Sequence, residues 1–204
     1  MRIMKKLIIS LIAMCFILAP LFASATFEAL NEDDNSVIVM HEEMIMFDFI
    51  EFMRLTSDPT IKHYEIIIHS LGGNAITCIA VMNRILELKR EGVTFTTRTY
   101  GAAMSAGAYI FLMGDERIMY EASTLMFHTM QSQANEYQWA NEEPGVRNMI
   151  VRYDNFVRNR FKEITGMSDR SCKYWLDGGD EQYMSAETAY NVGIATEYIL
   201  AGGN

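Results

Sequence analysis

The segment Gly101-Ala102-Ala103-Met104-Ser105-Ala106-Gly107-Ala108 constrains this chain more than any other. It follows residues 93–100, which alternate as a strand does, and it leads into an apolar stretch that reads as a helix to about residue 113. Its small residues permit a tight strand-to-helix turn that presents the Ser105 hydroxyl at a helix N-terminus. Exposed backbone N–H groups there favour developing negative charge. A serine hydroxyl is a weak nucleophile near neutral pH and needs a base to take its proton. The only histidine after Ser105 is His128, 23 positions on. Together the two residues suggest a serine hydrolase.

The rest of the chain alternates strand and helix patterns. Residues 37–40 and 64–69 read as strands, the second with Ile66, Ile67 and Ile68 as a buried run. Between them, residues 46–55 fit an amphipathic helix with Met46, Phe49, Ile50 and Met53 on one face. Leu71-Gly72-Gly73-Asn74 breaks the second strand, and residues 75–90 are helical with Ala75, Cys78, Ile79, Met82, Ile85 and Leu86 on one side. Residues 117–120 and 125–128 are short strands. A long helix is expected over 144–164, where Pro144 suits a first turn. Its apolar seam is Val146, Met149, Ile150, Tyr153, Val157, Phe161 and Ile164. Ser185 looks like the N-cap of a last helix that Gly193 stops. This order predicts one α/β domain over 37–204 with right-handed crossovers.

Residues 1–25 read as an export signal: Arg2, Lys5 and Lys6, then a 16-residue apolar run over 7–22, then Ala23-Ser24-Ala25 as a cleavage site before Thr26. The run is shorter than the roughly 20 residues of a membrane-spanning helix, so cleavage is expected over a retained anchor, and the location is periplasmic. Residues 26–36 read as a flexible acidic lead-in. Loss of the basic start takes the net charge from −9 to −12, which argues against nucleic acid or anionic lipid as the main partner. Cys78 is expected in the core, and Cys172 either free or paired. His41, His63 and His69 read as structural. His41-Glu42-Glu43-Met44-Ile45 is no H-E-x-x-H zinc motif, and Gly72-Gly73 lacks the residues of a phosphate loop, so no metal or cofactor is expected.

Acyl transfer through serine also needs donors for an oxyanion and an acid that orients the base. The Ala106 N–H and a glycine of Gly72-Gly73 can supply the donors. At this point the chain resembles the proteolytic subunit of the Clp protease, a serine peptidase family with a ClpP/crotonase-like fold. The resemblance is carried by Ile67-Ile68-His69-Ser70-Leu71-Gly72-Gly73, Tyr100 to Ala108, Leu125-Met126-Phe127-His128, and Tyr183-Met184-Ser185-Ala186-Glu187-Thr188-Ala189 with Val192-Gly193-Ile194. It implies a single domain of strand–helix crossover units with a protruding handle helix at 144–164. It also implies Gly73 and Ala106 as the oxyanion hole, and heptameric rings that stack through the handle and act on peptides or unfolded proteins. Whether an unfoldase partner accompanies them is left open. Two positions depart from the family pattern: Leu71 stands where the family has proline, and the position of the family's triad aspartate is Glu181, with Asp180 just before it.

Three other readings compete. An α/β-hydrolase wants its histidine far downstream of the serine. A Ser–Lys peptidase needs Lys89, Lys162 or Lys173 as base. A ring-forming pseudoprotease scaffold follows if the acid at 180–181 has been lost.

Overall fold

The computed structural model describes residues 26–31, 33–129, 144–177 and 181–202. The expected export signal and Asp180 lie outside these residues. Strands β1 (Phe27–Asn31) and β2 (Asp34–Met44) form an antiparallel hairpin with Phe27 opposite Met40. Then come α1 (Asp48–Leu55), β3 (His63–Gly73), α2 (Ala75–Arg90), β4 (Thr94–Met104), α3 (Ala106–Phe111), β5 (Glu116–Tyr120) and β6 (Thr124–Phe127). The chain closes with α4 (Pro144–Thr165), α5 (Asp169–Asp177), β7 (Gln182–Ser185), α6 (Ala186–Asn191) and β8 (Glu197–Ile199). Strand order is β1-β2-β3-β4-β5-β8, parallel from β2 onward, with β6 and β7 branching from β4.

That branch positions the site. Thr96–Thr99 of β4 pair with β5, and Ala102–Met104 pair with β6, so one strand serves two neighbours in succession. β6 then pairs antiparallel with β7, Phe127 opposite Gln182. Burial along β3 alternates, as the pleat demands: Tyr64, Ile66 and Ile68 are sealed against the helices while Ile67 is half-buried on the other face. That second face carries an ion pair from Arg98 Nε to Glu65 at 2.5 Å and the stacked rings of Tyr100 and Tyr120. Helix α2 occupies the expected residues. Asn74 caps it by accepting from the Thr77 N–H at 2.9 Å, and Cys78, Val81, Met82 and Ile85 face the core.

Three expectations change. Residues 27–31, read as part of a flexible lead-in, form β1, because Phe27 inserts into the core beside Phe52 with ring centroids 5.0 Å apart. Helix α1 turns a different face inward: Phe52 and Leu55 are buried, Met46 and Ile50 are exposed. Asp48 sets that rotation, since its carboxylate is buried and bonded to backbone N–H groups. Helix α5, not anticipated, brings Cys172 and Leu176 to the core; among the described residues Cys172 forms no disulfide. In α4, Ile150, Val157 and Phe161 are buried and Met149, Tyr153 and Ile164 half-buried, which agrees with most of the expected seam. Phe161 meets Phe127 edge-on at 5.4 Å, tying α4 to β6.

Arg117 joins β5 to the C-terminal segment. Its guanidinium is buried and donates to the carbonyls of Ile194 (2.6 Å), Gly114 (2.8 Å) and Gly193 (3.3 Å). Burial lowers its pKa, yet a guanidinium keeps its proton. Replacing it strands several carbonyls in the interior. Arg117→Met is expected to cost about 2–4 kcal/mol of stability, measured as a lower denaturant midpoint at fixed protein concentration.

Candidate functional site

Ser105 stands between β4 and α3 with φ 49° and ψ −117°, a left-handed conformation that a side-chain-bearing residue adopts only under strain. Two backbone bonds hold it there. Its N–H donates to the Met126 carbonyl of β6 at 2.8 Å, and its carbonyl accepts from the Tyr109 N–H at 3.1 Å. The small residues around it explain why the turn can be so tight. A side chain at Gly72 (φ +116°) would meet the Ser105 Cβ at 2.7 Å, and one at Gly73 (φ +126°) would collide with the Met44 backbone. Gly72 therefore lies against the serine, and Leu71 in the family's proline position leaves that approach intact with its side chain in solvent.

The end of β6 places His128 beside the serine. His128 Nε2 and Ser105 Oγ are 2.8 Å apart, with the two residues only 8% and 9% exposed. His128 Nδ1 lies 3.1 Å from the Thr129 carbonyl oxygen. An imidazole nitrogen on a carbonyl carries the hydrogen, so Nε2 is the acceptor and faces the hydroxyl in the form a general base requires. The Tyr109 hydroxyl donates to the His128 carbonyl and fixes the backbone at that residue.

Ser105, His128, Gly73 and Ala106 line one narrow cavity of about 20 Å³. Ala106 is the first residue of α3, so its N–H belongs to the helix's unpaired first turn. Apolar groups, among them Ile79 and Val157, make up most of the remaining wall. Cys78 is also in that wall, but burial pushes its thiol up to about 12, which leaves it protonated and unreactive.

Two sequence expectations fare differently. The Glu181 carboxylate is not on the imidazole. It is exposed and accepts from the Tyr183 hydroxyl at 2.5 Å, a bond that raises the tyrosine's pKa. Continuing the β6–β7 register one residue past Phe127 and Gln182 sets position 181 across from 128, so the backbone is in place while the side chain turns to Tyr183. Asp180 lies outside the described residues. The lysines proposed as alternative bases are engaged or exposed elsewhere: Lys89 with Asp115 at 2.6 Å, Lys162 with Asp169 at 2.7 Å, and Lys173 in solvent. His41 faces Glu28 at 3.5 Å, His63 bonds Thr94, and His69 lies against Gly101, so none of the three lines the Ser105 cavity.

Sequence reasoning missed Asp154, which lines the same cavity from α4 with its Oδ2 sealed from solvent. The signal was available: Asp154, Val157 and Phe161 follow i, i+3, i+7 spacing and so share one face of the helix. Among the described residues no group of three His, Cys, Asp or Glu side chains is placed to hold a metal ion.

The sequence and the fold have known counterparts. A proteolytic subunit 2 of the ATP-dependent Clp protease from Prochlorococcus marinus subsp. pastoris is 26% identical over 151 residues, covering 73% of this chain and 72% of the relative. The subunit 2 of a second Prochlorococcus marinus strain is 27% identical over 156 residues, covering 73% and 71%. Among solved structures, a ClpP1 variant from Listeria monocytogenes superposes with a TM-score of 0.65 at 18% identity, covering 82% of this chain and 93% of that one. The ClpP catalytic domain from Plasmodium falciparum gives 0.64 at 18% identity, covering 83% and 87%. The fold is the α/β fold of these ClpP domains. A sequence model of the family described as Clp protease matches residues 36–201, and the chain therefore belongs to the Clp protease family of serine peptidases.

Proposed function

We propose that the chain is a serine endopeptidase that cleaves peptides and unfolded chains through an acyl-enzyme. The observation that carries this reading is the 2.8 Å approach of Ser105 Oγ to His128 Nε2, with the Thr129 carbonyl on the ring's other nitrogen. Ser105 Oγ attacks the scissile carbonyl carbon as His128 Nε2 takes its proton, and the imidazolium then protonates the leaving amine. Water repeats the sequence to release the acyl group. The Ala106 and Gly73 N–H groups receive the oxyanion, each such donor being worth about 3 kcal/mol of barrier. Glu181 completes the site by rotating from Tyr183 to His128, with Asp180 the alternative. The carboxylate would stabilise the imidazolium better than a neutral carbonyl does.

The subunits associate with one another as rings. The support here is the exposed apolar cluster Met46, Phe47 and Ile50 at the head of α1, with Phe47 71% and Ile50 67% exposed. The basic and apolar start of the chain supports export, which would have the enzyme degrade loose chains without an ATP-driven unfoldase.

A fluorophosphonate probe should label the wild type and not Ser105→Ala, and His128→Gln should react at least about 100-fold more slowly. Glu181→Gln should cut peptide kcat by about 100-fold or more with little change in KM, while retained activity would move the orienting role to Asp180. Light scattering should give a multiple of the subunit mass that Phe47→Glu with Ile50→Glu lowers.

A further inference from the structure

The residue at which the expected cleavage would begin the mature chain is the one the fold grips most completely at its N-terminal edge. Thr26 is 2% exposed and all of its polar groups are engaged. Its hydroxyl donates to the Glu43 carbonyl at 3.1 Å, its carbonyl accepts from the His41 N–H at 2.9 Å, and its N–H donates to Asp48 Oδ1 at 3.2 Å. Asp48 is itself 3% exposed, and its other oxygen accepts from the Ile45 N–H at 2.5 Å. Among the described residues no lysine, arginine or histidine forms an ion pair with it. A buried carboxylate held only by neutral N–H groups is costly.

We infer that cleavage between Ala25 and Thr26 supplies the missing cation, so that processing completes a buried ammonium–carboxylate pair between Thr26 and Asp48. This rests on the export reading above. A processing endopeptidase of the kind that reads A-x-A sites catalyses the step with water. The Ala25–Thr26 C–N bond breaks, the water oxygen joins the Ala25 carboxyl, and that carboxylate leaves with residues 1–25. The nitrogen left on Thr26 becomes an amine with a pKa near 8, ammonium at neutral pH. The neutral donor at 3.2 Å thus becomes a charged one without any movement of the backbone. The pair pins β1 and the head of α1 together, next to the apolar cluster of Phe47 and Ile50. Processing thereby stabilises the folded domain, and the unprocessed chain is the looser form.

The test uses protein recovered from the export compartment of an expression host, with its first residue found by N-terminal sequencing. Thermal unfolding is compared for the wild type, for Asp48→Asn, for a chain with Gly-Ser inserted between Ala25 and Thr26, and for the two changes combined. The insertion moves the ammonium away from Asp48 and keeps the Thr26 N–H. The wild type should begin at Thr26. The insertion and Asp48→Asn should each lower the midpoint by about 5–15 °C, and together by little more than either alone. Cleavage at Thr26 with an insertion that leaves the midpoint unchanged overturns the inference and leaves export standing. A chain that keeps residues 1–25, or is cut elsewhere, overturns both. Should Asp48→Asn fail to fold, the insertion alone decides.

Discussion

The bond from the Ser105 N–H to the Met126 carbonyl, 2.8 Å long, is the constraint on which the site depends. It is the last rung between β4 and β6, and it exists because β4 gives its first half to β5 and its second half to β6. A strand that kept one neighbour along its whole length would leave His128 with no reason to end beside Ser105. The rung also holds the serine in its strained conformation, a cost of about 1–3 kcal/mol that the surrounding pairing must offset. Gly72 completes the arrangement. Its lack of a side chain lets β3 approach the Ser105 Cβ closely enough to wall one side of the cavity.

Buried charge secures both ends of the sheet, by opposite means. Arg117 brings a cation to a cluster of carbonyls at a helix end and a loop, where backbone acceptors would otherwise lack donors. Asp48 brings an anion to backbone N–H groups at the head of α1 and at Thr26. Each fastens a distant stretch of chain, Arg117 the segment at 193–194 and Asp48 the residue just before the N-terminal hairpin. Neither bond is periodic in sequence, so neither could be read from a pattern of apolar residues.

That limit explains what the sequence did and did not disclose. Helix α2 was legible to the residue, because a cap at Asn74, an apolar stripe and Gly92 all agree on its bounds. The strand-to-helix turn at Ser105 was legible because small residues permit so tight a bend, and the partnership with His128 because no other histidine follows the serine. The inward face of α1 was not. Periodicity weighs Met46 and Ile50 as core, yet a single buried carboxylate at Asp48 rotates the helix and puts Phe52 and Leu55 there instead. β1 was hidden by its acidic neighbours, although Phe27 alone supplies enough apolar surface to draw the segment onto the core. Asp154 was overlooked because a charge beside an apolar seam reads as solvent-facing until the cavity it borders is known.

The position of Glu181 brings these strands of argument to the chemistry. The pairing of β6 with β7 fixes its backbone across from His128, while Tyr183, two residues on, holds its carboxylate by a hydroxyl. The Thr129 carbonyl meanwhile settles the imidazole tautomer. The base is thus oriented before it is electrostatically supported. A neutral carbonyl stabilises an imidazolium less than a carboxylate does, so in the proposed triad the cost of proton transfer from Ser105 would fall if Glu181 exchanged one charge-assisted bond for another. Both arrangements give the carboxylate a strong donor, which keeps the free-energy gap between them small. On the proposed reading, a small gap would allow a bound peptide strand, or a neighbouring subunit, to decide which side chain Glu181 serves.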